Sequence, residues 1–250
     1  MSPETLMLLE TGSAALLFAA IFLIGGRVHP LRPWVSDRSI ISFCAGMAAA
    51  YVFVHLMPEM HAARHVFTES AAESASLVLR FEGMGIYFLA LVGFMTFYGL
   101  EHLRASVSES VEAEQTGLAF RIHIGGFAGY VWVMSYLLVN SLEGATLSPL
   151  WYAVAIAFHL LTVEHNLHEE YGAAYMRVGR WVLAGMCLFG WGMGLLFPLP
   201  PYALALLVAF VSGAVIMNSA ITELPSEKNG RFLPFLAGGL IYGLVLLPLG

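Results

Sequence analysis

The stretch Gly46-Met47-Ala48-Ala49-Ala50-Tyr51-Val52-Phe53-Val54-His55-Leu56-Met57-Pro58-Glu59 decides how this chain is read, because a second stretch repeats its punctuation. That partner is Gly213-Ala214-Val215-Ile216-Met217-Asn218-Ser219-Ala220-Ile221-Thr222-Glu223-Leu224-Pro225. Both place proline twelve residues after glycine and a polar side chain at the ninth step, with an acid within two residues of the proline. Two similar apolar stretches far apart in one chain point to an internal repeat of the kind that builds many membrane proteins. Glycine and proline are also common in membrane helices generally, so coincidence stays open as the alternative.

Working outward from these two stretches, eight apolar segments emerge, at 6–25, 40–57, 83–100, 122–139, 150–163, 181–199, 202–221 and 232–248. Most approach the roughly 17 to 25 residues a helix needs to cross a hydrocarbon core of about 30 Å. The fifth is short, and we read it as continuing through the polar stretch 164–170, which then faces protein or water rather than lipid. With the first terminus placed outside, nine of the eleven Lys and Arg residues fall on the inner side. Arg27, Arg32, Arg38, Arg104, Arg121, Arg177, Arg180, Lys228 and Arg231 lie inside, and only Arg64 and Arg80 lie outside. The Lys/Arg bias of short loops sets orientation, so the reading is an integral protein of the cell (inner) membrane with both termini outside. In that topology the second segment runs outward and the seventh inward, which puts the two repeated motifs at opposite faces. An inverted repeat of three plus three helices around a central pair requires that placement.

Composition agrees. At 59% apolar and 11% charged residues the chain is no soluble domain, where about a quarter of residues are normally charged. Residues 1–250 read as one all-α membrane domain, with the polar connections 59–82 and 101–121 as loops whose ends can be helical. Met1 to Glu10 carries acids and no basic residue, which makes the first segment a poor signal peptide, and it is kept as a span. No basic run suggests nucleic acid. Cys44 and Cys187 both fall inside apolar segments, where a free thiol behaves as a small hydrophobe. Glycine and alanine on several helices would permit a homodimer without requiring one.

At the level of motifs, Cys44-Ala-Gly-Met-Ala-Ala-Ala with His55-Leu-Met-Pro58-Glu59 resembles the second helix of the ZIP (Zrt/Irt-like) divalent metal transporters, and Glu223-Leu-Pro225 resembles the end of their seventh. The resemblance implies eight helices in a three-two-three arrangement, external termini, and a divalent ion, zinc first, held between the fourth and fifth helices as transported substrate. Several family positions differ. The fourth-helix pattern His-Asn-x-x-Asp/Glu-Gly is here His123-Ile124-Gly125-Gly126-Phe127-Ala128, which keeps the histidine alone. The fifth-helix pattern His-Glu-x-Pro is here His159-Leu160-Leu161-Thr162-Val163-Glu164, and residues 181–199 contain no acid. A two-metal site of the family type is therefore not expected.

A reduced site is. His123, His159 and Glu164 offer two imidazoles and a carboxylate, a set that suits zinc, and the family packing implies Met47 as a weak fourth ligand. Ionisable side chains within spans are costly and usually face a cavity, a partner or a conduction path. A buried neutral histidine can equally be satisfied by a backbone carbonyl, and Glu164 can equally sit in water at a helix end. Beyond it, His165, His168 and Glu169 are spaced to share one helical face, and His165-Asn166-x-x-Glu169 matches the fourth-helix string on the fifth segment. His159, Thr162, Asn166 and Glu170 form a second stripe, a candidate exit path for a cation, and the run reads equally well as a solvated helix end with charge-paired side chains. His55 and Glu59, one turn apart and near His61 and His65, would collect a cation outside, and Glu223 with Glu227 would do so inside. Both pairs read equally well as interfacial residues around a helix-ending proline.

The expected function is inward transport of a divalent metal ion, with one bundle rocking against the other around a midplane site. The alternative is a ZIP-fold protein that has lost transport and serves as a membrane binding or scaffold component. An intramembrane zinc hydrolase ranks third, since it needs an acid–base pair within the membrane and a Ser or Asp beside the metal, and Asp37 is the sole aspartate. The protein is expected not to be an enzyme.

Overall fold

The structure is a computed structural model that describes residues 2–25, 37–72, 83–108, 113–140, 149–219 and 231–247. Among these every regular element is helical. The helices are α1 (Pro3–Ile24), α2 (Asp37–Tyr51), a π-helical turn (Val52–Leu56), α3 (Met57–Ala72), α4 (Met84–Ser108) and α5 (Ala113–Leu137). They continue as α6 (Pro149–Ala174), a second π turn (Tyr175–Gly179), α7 (Arg180–Leu196), α8 (Pro201–Asn218) and α9 (Phe232–Leu246). A described helix covers much or all of each of the eight apolar segments. Five stretches are long and apolar enough to cross a membrane: Thr5–Ile24, Ser42–Glu69, Met84–Ser106, Ile156–Leu196 and Pro201–Asn218. Leu16, Phe88, Phe189, Leu233 and Leu240 stand on the exterior, as side chains facing lipid would.

The polar stretches read as loops are largely helix. α3 carries the second segment's helix on to Ala72, and α4 and α5 between them leave only residues 109–112 outside the described part of 101–121. The reason is local: Glu, Ala, Arg and Leu at the end of α4 are good helix formers, and the ion pair Glu101–Arg104 is spaced i, i+3 on one face.

Two helix irregularities have identifiable causes. Pro58 lacks an N–H, so the Val54 carbonyl four residues back loses its usual donor. The chain accommodates this with the π turn, in which the Met57 N–H reaches the Val52 carbonyl. The other irregularity is Gly172, at φ 44° and ψ −112°, a backbone conformation that glycine adopts without a Cβ penalty. It marks a reversal. α5 and α6 run antiparallel, because His123 meets Tyr171 and Tyr130 meets His159. α5 and α7 run parallel, because Ile124 lies by Gly179, Trp132 by Gly190 and Tyr136 by Gly194. α6 and α7 therefore run in opposite directions, and Ile156–Leu196 is a folded-back pair.

The closest helix crossings occur where α2 meets α9 and α4 meets α8. A Cβ on Gly46 would strike the Phe235 carbonyl, and one on Gly238 would strike that of Phe43. A Cβ on Gly213 would strike the Ala90 carbonyl, and one on Gly93 that of Phe210. The register is the same in both crossings: each glycine lies three residues after the carbonyl its own helix presents to the other. Small residues that let backbones approach in this way are the usual basis of helix association in lipid.

The bundle has two chemically distinct ends. Arg104, Arg121, Arg177 and Arg180 lie at the end formed by the C-terminus of α4, the N-terminus of α5 and the Gly172 reversal. Arg231 joins them, donating from its backbone to Ser42 and from its guanidinium to Ser39 at the start of α2. Arg64, whose side chain packs against the Gly83 turn, lies at the other end.

Candidate functional site

The end of α4, the start of α5 and the end of α6 enclose a cavity of about 250 Å³ in the Arg-rich half of the bundle. Glu101 and Arg104 reach it from α4, His123 from α5, and Asn166 and Glu170, one turn apart, from α6. Apolar walls complete it, including Phe127 and Val163. The Arg104 guanidinium bridges both acids: it is paired with Glu101 and donates to Glu170 at 2.6 Å. His123 Nε2 lies 3.5 Å from the Glu101 carboxylate, while Nδ1 is 2.8 Å from the Tyr171 hydroxyl. Two carboxylates and one guanidinium leave the cavity with a formal excess of negative charge when both acids are ionised.

Deeper in the bundle, His159 is buried and its Nε2 lies 2.6 Å from the Tyr130 hydroxyl, with the two rings edge to face. His159, Val163, Asn166 and Glu170 share one stripe of α6, so the histidine stands about one turn beyond Val163, the cavity-lining residue nearest to it on that helix. This is most of the polar stripe expected from the sequence. Thr162 sits to one side, its hydroxyl bonded back to the Phe158 carbonyl at 3.2 Å.

The three-ligand set of His123, His159 and Glu164 is not brought together. Glu164 is about 140° around the helix axis from His159. Its buried carboxylate faces Gly25 at the end of α1, where any Cβ would collide with it, and lies 3.9 Å from His168 Nδ1. His123 and His159 both bond to tyrosines. Met47 is buried within the apolar core. His168 is turned toward Tyr175, and Glu169 on the same side of α6 is exposed, so this polar run forms no three-ligand group either. Among the described residues no group of three His, Cys, Asp or Glu side chains has a geometry that could hold a metal ion. His55 on the π turn and Glu59 on the first turn of α3 do meet, at 3.5 Å. Glu223 and Glu227 lie outside the described residues.

Sequence reasoning missed Glu101 and Arg104 as cavity residues because the apolar count stopped at Leu100. The i, i+3 acid–base pair immediately after it was the available signal. Tyr130 and Tyr171 carried none, since a tyrosine in an apolar helix reads as packing or an interface anchor. No family model, curated protein or solved structure matches this chain.

Proposed function

We propose that this is a ZIP-like, eight-span membrane transporter of the three-two-three type that moves a divalent cation, zinc first, into the cytoplasm. Both termini lie outside in this reading, and the Arg-rich end faces the cytoplasm of the cell (inner) membrane, in keeping with the Lys/Arg rule. The equal register of the α2–α9 and α4–α8 crossings supports the inverted repeat, since these pairs exchange under it. The observation that carries the transport reading is the cavity of Glu101, His123, Asn166 and Glu170 at the foot of the His159 stripe. Oxygen and imidazole donors along one route through an apolar bundle are what a partly dehydrated cation needs.

A second reading, a ZIP-fold scaffold without transport, is favoured by two observations. Arg104 occupies the cavity as a resident cation, and the hydrogen bonds of His123 and His159 to tyrosines tie up the donors that a passing ion would use.

Zinc-65 uptake into proteoliposomes separates them. Transport predicts saturable uptake above a protein-free control that falls at least about tenfold in His159→Ala and in Glu170→Gln, each of which removes one coordinating group. Uptake at control level for zinc, iron and manganese alike would sink the transport reading and leave the scaffold.

A further inference from the structure

At the end of the bundle away from Arg231, α3 exposes two histidines that no part of the cavity uses. His61 and His65 are spaced i, i+4, so both rings leave the helix on one face. Their Nε2 atoms are 3.1 Å apart, with the rings nearly perpendicular and their centroids 4.7 Å apart. With metal–nitrogen bonds of roughly 2.05 Å, a separation of 3.1 Å corresponds to an N–metal–N angle of about 98°. That value lies between the roughly 90° of a square-planar copper or nickel centre and the roughly 109° of tetrahedral zinc. Without a metal, the same distance accommodates a single N–H···N hydrogen bond between neutral rings.

We propose that His61 and His65 form a surface chelate for a divalent transition-metal ion of the copper–nickel–zinc class, with water completing the coordination. Three observations beyond the distance bear on it. Both imidazoles are exposed, so an ion reaches them without opening the bundle. Glu69 continues the row one turn further on and is also exposed, which adds negative charge at the edge of the site. The nearest cation in sequence, Arg64, folds over the Gly83 turn. The location also fits. At 1.5 Å per residue the helix rises about 28 Å from Ser42, where Arg231 is anchored, to His61, close to the thickness of a hydrocarbon core. The pair thus stands at the membrane face opposite the Arg-rich end. It points to the other side of the helix from His55 and Glu59, so it is separate from that pair. Imidazole nitrogens without a carboxylate-rich cage select against magnesium and calcium.

Copper(II) provides the direct test, on the full-length protein in detergent after removal of metal by chelation. Electron paramagnetic resonance at one equivalent of Cu²⁺ should show hyperfine structure from two equatorial imidazole nitrogens. In His61→Ala and in His65→Ala the two-nitrogen pattern should disappear, with Cu²⁺ affinity weakened roughly tenfold or more, because the second ligand no longer binds intramolecularly. Both positions are exposed, so thermal unfolding of the variants without metal should match the parent. His159→Ala should leave the signal unchanged, which keeps the outcome independent of the transport reading. A two-nitrogen signal that persists in both surface variants, or its absence from the parent, would overturn the assignment and leave a simple histidine–histidine hydrogen bond.

Discussion

Arg104 is the side chain whose removal the cavity should tolerate least. Its guanidinium serves two carboxylates from different helices, so deleting it leaves Glu101 and Glu170 facing each other across a partly enclosed space. Arg104→Ala should destabilise the protein by about 1–3 kcal/mol, less than a fully buried pair would cost because the cluster is open to solvent at one side. Adding Glu170→Gln to that variant should recover part of the loss, giving the non-additivity expected of groups in direct contact. Thermal unfolding in detergent of the two single variants and the double variant measures this, and strictly additive losses would mean that the network does not couple α4 to α6. Of the residues in this region, His123 and His159 were legible in the sequence, since an imidazole within an apolar run demands an explanation. Their partners were not legible: Tyr130 lies between apolar residues, and Tyr171 follows a run of charge. Only the antiparallel pairing of α5 and α6 brings each hydroxyl to its ring nitrogen.

Among the helices, the glycine crossings make the sharpest demand. Gly213 and Gly46 have neighbouring backbone, not flexible side chains, where a Cβ would have to go, so neither site can relax by changing a rotamer. Gly213→Val and Gly46→Val should each destabilise the bundle by about 1–3 kcal/mol or more by overpacking. Gly185→Val, with open space around the position, is the matched control and should cost little. Unfolding midpoints that fall equally for all three would remove the crossings from the account of packing. Gly172 depends on a different property. No neighbour lies within reach of a Cβ there, but the combination of positive φ and ψ −112° is unfavourable for a residue with a Cβ, so Gly172→Ala is expected to cost about 1–3 kcal/mol through the backbone alone. The glycine spacing of the repeated motifs was visible in sequence. That Gly46 is matched with Gly238 and Gly213 with Gly93 was not, because the partners are far apart in the chain and no local pattern marks them.

For the molecule as a whole, the separation of charge between its ends makes orientation testable. In a background with Cys44 and Cys187 replaced by alanine, single cysteines at Arg121 and Arg177 should react with an impermeant maleimide only from the cytoplasmic side. Cysteines at Ser2 and His61 should react only from outside. Labelling of all four from the same side would overturn the proposed arrangement. By itself the sequence determined that the chain is helical and apolar enough for a membrane, and where its apolar segments lie, because hydropathy, charge and proline act locally along the chain. It also singled out the histidines whose burial needs a partner. The tertiary structure decided which faces meet. It turned Glu164 away from His159 toward α1, set Arg104 between two acids, and aligned the nitrogens of His61 and His65. Each of these depends on the rotation of a helix about its axis or on a side-chain geometry, and composition leaves both undetermined until neighbouring helices pack.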